Sequence, residues 1–270
     1  MFITGIVEGF YGRQWSWQAR RDYAPLLARW GLNSYLYCPK GDVHLRRQWW
    51  QPWPQAEQQE LAGLARHYRA AGLNFGVGLS PYALYQHYGG QERRRLREKL
   101  ARLDDLGGNL LAILFDDMPG ACRDLAERQV EILEDVRQWS GAEHLLMCPT
   151  YYSYDPQLQS YFGKMPEHYW EALGAGVSAE IAIMWTGNEV CAKTVAASDL
   201  TGITALLGRA PLLWDNYPVN DGAKASQFLH LEPLPGRDSG LRQALSGHLC
   251  NPMNQAYLSA YPLAGLARLY

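Results

Sequence analysis

The 270-residue chain carries 25 Lys and Arg against 27 Asp and Glu, a formal charge of −2, and 47% of its residues are hydrophobic. That balance gives no electrostatic reason to expect nucleic acid or a membrane surface as partner, and no apolar run approaches the roughly 20 residues of a membrane span. Five scattered cysteines (Cys38, Cys122, Cys148, Cys191, Cys250) with no CxxC argue against a disulfide framework.

The first run, Phe2–Val7, reads as a strand rather than a secretion leader, so the expected location is cytoplasmic. An amphipathic stretch, Trp17–Trp30, follows and stops at Gly31. Strand Asn33–Cys38 precedes helix Ala56–Ala71, which stops at Gly72. Strand Asn74–Leu79 precedes helix Gln91–Leu106, which stops at Gly107 and whose Arg93, Arg94 and Arg95 read as a solvated face. Then come strand Leu110–Phe115, helix Cys122–Trp139, strands His144–Cys148 and Glu180–Trp185, and helix Ala192–Leu207. Strand Pro211–Trp214 is followed by Leu231–Gly240, whose two Pro and two Gly favour a loop, and strand Leu245–Cys250 ends the series. Strand starts recur every 30 to 40 residues or so, the spacing of β/α units. The expected fold is α/β: one closed (β/α)8 TIM barrel spanning residues 1–270 as a single domain. An open doubly wound sheet is the alternative, but the first turn lacks GxGxxG.

In a barrel the C-terminal strand ends share one rim, where active sites form. Here they read Glu8-Gly9, Pro39-Lys40, Ser80-Pro81, Asp116-Asp117, Pro149-Thr150, Trp185-Thr186, Asp215-Asn216 and Asn251-Pro252. A ring of carboxylates, an ammonium, amides and indoles suits a sugar pocket, with Trp185 and Trp214 as candidate walls. Asp116 and Asp117 could instead cap a helix, or hold Mg²⁺ together with Asp215. As a catalytic pair their titrations should couple and separate, one acid protonating a leaving oxygen while the other stabilises positive charge. Adjacent residues do not readily flank an anomeric carbon from opposite sides at about 5 Å. A substrate-assisted route fits them better, with a 2-acetamido oxygen of the substrate as nucleophile.

The motifs GIVEGFYGRQW, YLYCPKGD, LAILFDDMPG, CPTYY, WTGNEV, LLWDNYPVND and CNPMNQA occur in this order. Together they resemble the catalytic domain of glycoside hydrolase family 84, the O-GlcNAcases and bacterial β-N-acetylglucosaminidases. The resemblance implies a metal-free, cofactor-free retaining barrel that works through an oxazoline on terminal β-N-acetylglucosaminides, with O-GlcNAc on proteins among the candidate substrates. It implies that Asp116 polarises the acetamido group and that Asp117 is the general acid/base. Gly9 and Lys40 would meet sugar hydroxyls, Tyr152 would bond the reacting acetamido group, and Cys148 and Trp214 would border its methyl pocket. Asn216 would bind the amide or nearby groups, Asp221 the 4- and 6-hydroxyls, and Asn251 further hydroxyls. Departures at Gly41, Tyr151 and Gly222 are expected to line the rim, and the length leaves no room for accessory domains. A non-catalytic sugar-binding barrel and an endo-acting hydrolase remain as alternatives, and the oligomeric state is not legible.

Overall fold

Short apolar runs buried on both faces are suited to parallel pairing under a helical cover. In the computed structural model, which describes residues 1–270, they are β1 (Ile3–Glu8), β2 (Ser34–Tyr37), β3 (Asn74–Leu79), β4 (Leu110–Leu114), β5 (His144–Cys148), β6 (Ile181–Trp185), β7 (Leu212–Asp215) and β8 (Gly247–Cys250). Each strand pairs in parallel with the next, and β8 returns to β1 with Ile3 opposite Gly247 and Ile6 opposite Cys250. The sheet is therefore a closed eight-stranded barrel, as the strand rhythm predicts.

Around it run α1 (Trp17–Trp30), α2 (Gln55–Ala70), α3 (Gly90–Asp104), α4 (Leu125–Trp139), α5 (Gln157–Phe162), α6 (Tyr169–Gly176), α7 (Thr201–Leu207), α8 (Leu241–Ala244) and α9 (Ala256–Leu269). Local chemistry sets the ends of α1. The Ser16 hydroxyl accepts the Ala19 amide at 3.1 Å, and Gly31, at φ 71°, closes the last turn onto the Ala28 carbonyl. Apolar residues of strands and helices merge into one continuous core.

Two expected helices are shorter than their sequence pattern. α4 begins at Leu125, with Asp124 at its N-cap position, rather than at Cys122. α7 covers only Thr201–Leu207, preceded by a 3₁₀ turn at Ala197–Leu200. Upstream of that turn, Val195 is diverted from the helix. It pairs with the 231–240 loop, accepting the Asp238 amide at 3.3 Å and donating to the Gly236 carbonyl at 2.9 Å. The arginines of α3 lie on a solvent-accessible face, as expected, and Arg93 also ties α3 to Asp135 of α4 at 2.6 Å.

Candidate active site

Successive side chains of a strand point to opposite faces, so the two residues at each strand end cannot ordinarily both face the barrel mouth. Glu8 turns outward, taking Arg20 at 2.9 and 2.7 Å and the Tyr35 hydroxyl at 2.6 Å, while Gly9 lines the mouth. Trp185 also turns away. It is buried edge-on against Tyr154 and Trp170 and does not line the site cavity, contrary to the sequence expectation, whereas its neighbour Thr186 does. Ser80 is buried outside the pocket.

Asp215 is likewise directed outward, accepting Arg237 Nε at 2.8 Å and facing His248 Nε2 at 3.0 Å. It does not join Asp116 and Asp117, so the Mg²⁺ arrangement considered from sequence is not assembled. Asp215, His248 and Cys250 do bring possible ligand atoms within 4.8 Å of one another. The Arg237 guanidinium already occupies that carboxylate as its cation.

Asp116 and Asp117 escape the alternation. Asp117 has φ 55°, the left-handed region that Asp enters more readily than most residues. The turn lets both carboxylates open into one cavity. Neither caps a helix, since the α4 cap position belongs to Asp124. Asp116 Oδ2 is paired with the buried Lys40 ammonium, which also stands 4.0 Å from Asp117 Oδ2. Asp116 Oδ1 is buried without a hydrogen-bond partner. Asp117 accepts the Tyr11 hydroxyl at 2.7 Å and the Tyr152 hydroxyl at 3.1 Å, and its carbonyl accepts Arg46 Nη2 at 2.7 Å.

These contacts bear on the protonation of Asp117. Burial pushes the Asp117 carboxyl up, but Lys40, the Tyr11 hydroxyl, Arg46 and the Tyr152 hydroxyl together hold it below the ordinary Asp value. Burial pulls against the Lys40 charge, yet Asp116 and then Asp117 outweigh it and raise the ammonium above its usual value. Burial, followed by Asp117, raises both the Tyr11 and Tyr152 phenols. Asp221 is raised by burial, with the Tyr11 amide, 2.7 Å from Oδ2, working in the opposite direction.

The opposite wall is a hydrogen-bonded set of amides. Asn216 Oδ1 accepts Trp214 Nε1 and Asn251 Nδ2, each at 3.0 Å, and Asn216 Nδ2 donates to the Val190 carbonyl at 2.8 Å. Asn251 Oδ1 accepts the Gly9 amide at 3.2 Å. Asn216 thus spends most of its capacity orienting its neighbours. Gly9 is required by the indole: a Cβ there would stand 2.2 Å from a Trp214 ring carbon.

The cavity holds about 160 Å³, room for one small ligand. All ten residues singled out from the sequence line it: Gly9, Lys40, Asp116, Asp117, Cys148, Tyr152, Trp214, Asn216, Asp221 and Asn251. Tyr11, Val190 and Cys191 line it as well. Tyr11 lies inside the GFYG motif and Val190 inside WTGNEV, so adjacency to a strand end was the available signal. Arg46 belongs to no motif and reaches the site only through the fold.

The chain matches the model of the beta-N-acetylglucosaminidase (NAGidase) family over residues 4–270. It belongs to that family. The rat and mouse Protein O-GlcNAcases (Rattus norvegicus and Mus musculus) are each 32% identical to this NAGidase-family chain over 260 residues, covering 93% of it and 28% of their own length. A mutant of the Thermobaculum terrenum O-GlcNAc hydrolase superposes with a TM-score of 0.88 at 32% identity, over 98% of this chain and 58% of that one. The chain thus spans under a third of the curated relatives it matches. Of the family departures, Gly41 and Gly222 are exposed beside the cavity residues Lys40 and Asp221 of this NAGidase barrel, and Tyr151 is buried behind the cavity. No helix is long and apolar enough to cross a membrane.

Proposed function

We propose that residues 1–270 act as one catalytic unit, an exo-β-N-acetylglucosaminidase that retains anomeric configuration through an oxazoline formed by the substrate's own acetamido group. The observation that carries this reading is Asp116 Oδ1, buried and unpartnered beside the pocket while Oδ2 is held by Lys40. A buried acceptor without a donor is costly, and the N–H of a 2-acetamido group is the donor that completes it. A cavity of about 160 Å³ has room for one sugar, which favours removal of a terminal residue over cleavage within a chain.

Asp116, paired through Oδ2 with Lys40, accepts the acetamido N–H and stabilises the positive charge that develops as the acetamido oxygen attacks the anomeric carbon. The glycosidic bond breaks as Asp117 gives its proton to the leaving oxygen. Asp117 then takes a proton from the water that attacks the anomeric carbon and reopens the oxazoline. Tyr152 moves its hydroxyl from Asp117 to the acetamido oxygen. Trp214 and Cys148 enclose the methyl group, while Asp221, Asn251, Asn216 and the Gly9 carbonyl meet hydroxyl and amide groups. The chemistry needs no metal or cofactor.

Hydrolysis of an aryl N-acetyl-β-glucosaminide tests this. Asp117→Asn is expected to lower turnover by roughly 10²–10⁴-fold. Absence of turnover by the wild type, or undiminished turnover by the variant, refutes it.

A further inference from the structure

A leaving group must depart past the acid that protonates it. Beside Asp117 a second hollow of about 330 Å³ adjoins the pocket and shares Tyr11, Asp117, Tyr152 and Val190 with it. Its outer side is built by α5 from Leu158, Tyr161 and Phe162. Rings lead outward in series, Tyr152 to Phe162 at 6.5 Å between centroids and Phe162 to Tyr161 at 6.4 Å. Tyr161 is 75% exposed, a large aromatic face left to solvent.

The backbone that carries these rings is anchored without a ligand. The Phe162 carbonyl accepts the Gly120 amide at 2.6 Å, and the next carbonyl, that of Gly163, accepts the Tyr151 hydroxyl at 2.6 Å. Tyr151, one of the family departures, therefore acts from behind by anchoring the end of α5. A pre-set surface loses little entropy on binding.

We propose that this groove is an aglycone subsite that stacks a second pyranose, so that the substrate is a glycan rather than a glycosylated protein. The proposal rests on the hydrolase reading above. Apart from Asp117 the groove is lined by no charged side chain. Of its polar side chains, Gln157 Nε2 is occupied by Asp155 at 2.5 Å, and the Tyr152 hydroxyl serves Asp117 or, in the proposed reaction, the acetamido oxygen. Four rings, Tyr11, Tyr152, Tyr161 and Phe162, dominate the lining, whereas an extended peptide bound through its main chain relies on backbone partners. A pyranose has an apolar C–H face for those rings, and its hydroxyls stay in water on the open side.

The test compares kcat/KM of wild type, Tyr161→Ala and Tyr161→Trp on three probes: the β-1,4-linked disaccharide of N-acetylglucosamine, methyl N-acetyl-β-glucosaminide, and a short peptide carrying N-acetylglucosamine on serine. In Tyr161→Ala the loss on the disaccharide is expected to exceed that on the methyl glycoside by roughly five-fold, with Tyr161→Trp restoring it. Equal losses on these two probes overturn the subsite, and a larger loss on the glycopeptide overturns the sugar assignment. Turnover of none of the probes by the wild type overturns the hydrolase reading itself, a result distinguishable from either.

Discussion

The Tyr11 hydroxyl donates to Asp117 Oδ2 at 2.7 Å, with Tyr152 on the other carboxylate oxygen. The group proposed as general acid therefore begins each cycle biased toward its charged form, and substrate must draw these donors away before Asp117 holds a proton.

The pH profile reports this bias. A general acid is active when protonated, so kcat/KM falls as pH rises through the Asp117 pKa of the free protein. Burial raises that pKa, but Lys40 and the hydroxyls leave it below the ordinary value. Tyr11→Phe removes a hydrogen bond that favours the carboxylate, so the descending limb of kcat/KM should move to higher pH. A limb that stays in place or moves to lower pH contradicts the assignment.

Lys40 and Asp116 form a buried pair in which each charge depends on the other. Lys40→Met leaves an unpaired carboxylate and should cost about 3–5 kcal/mol of stability in urea titrations. Lys40→Met combined with Asp116→Asn should recover much of that loss, because no uncompensated charge remains. Additive losses would mean that the pair is not coupled.

Gly9→Ala places a Cβ 2.2 Å from the Trp214 ring. The indole must shift, and with it the Asn216 and Asn251 amides that it helps to orient. Overpacking of this kind costs about 1–3 kcal/mol. Cooperative melting should persist while KM for an N-acetylglucosaminide rises; an unchanged KM would show that the indole does not shape the pocket.

Lys99 of α3 is fully buried, donating to the His44 carbonyl at 2.9 Å and the Gln51 carbonyl at 3.1 Å. Burial lowers its pKa to about 7, against the opposing pull of Asp42. Between that value and the ordinary lysine range the unfolded chain binds more protons than the folded one, so this residue makes stability rise with pH across the window. The difference in unfolding free energy between wild type and Lys99→Met, followed from pH 6.5 to 9.5 or so, should grow as pH rises. A flat difference would show that Lys99 stays charged in the folded protein.

Strand rhythm, helix stops such as Gly31 and the seven motifs made the barrel and the pocket-lining residues legible, because a closed parallel barrel brings every strand end to one rim. The same rule misdirected Trp185, Glu8 and Asp215. A strand end says that a residue is near the rim but not which side of the sheet its side chain takes, and here the outward sides were filled by Arg20, Tyr154 and Arg237. The diversion of Val195 into the 231–240 loop was equally hidden, since a backbone pairing across some 40 residues leaves no local periodicity.

The linear chain determined which chemistry could occur, by setting a lysine after β2, two acids after β4 and amides after β7 and β8. Folding decided which of those groups face one another. The left-handed turn at Asp117, the Lys40 charge between the acids, the Tyr11 and Arg46 contacts and the α5 platform depend on distances between residues far apart in sequence. Electrostatic energies and pKa values follow those distances and the local burial, and neither quantity exists until the barrel closes.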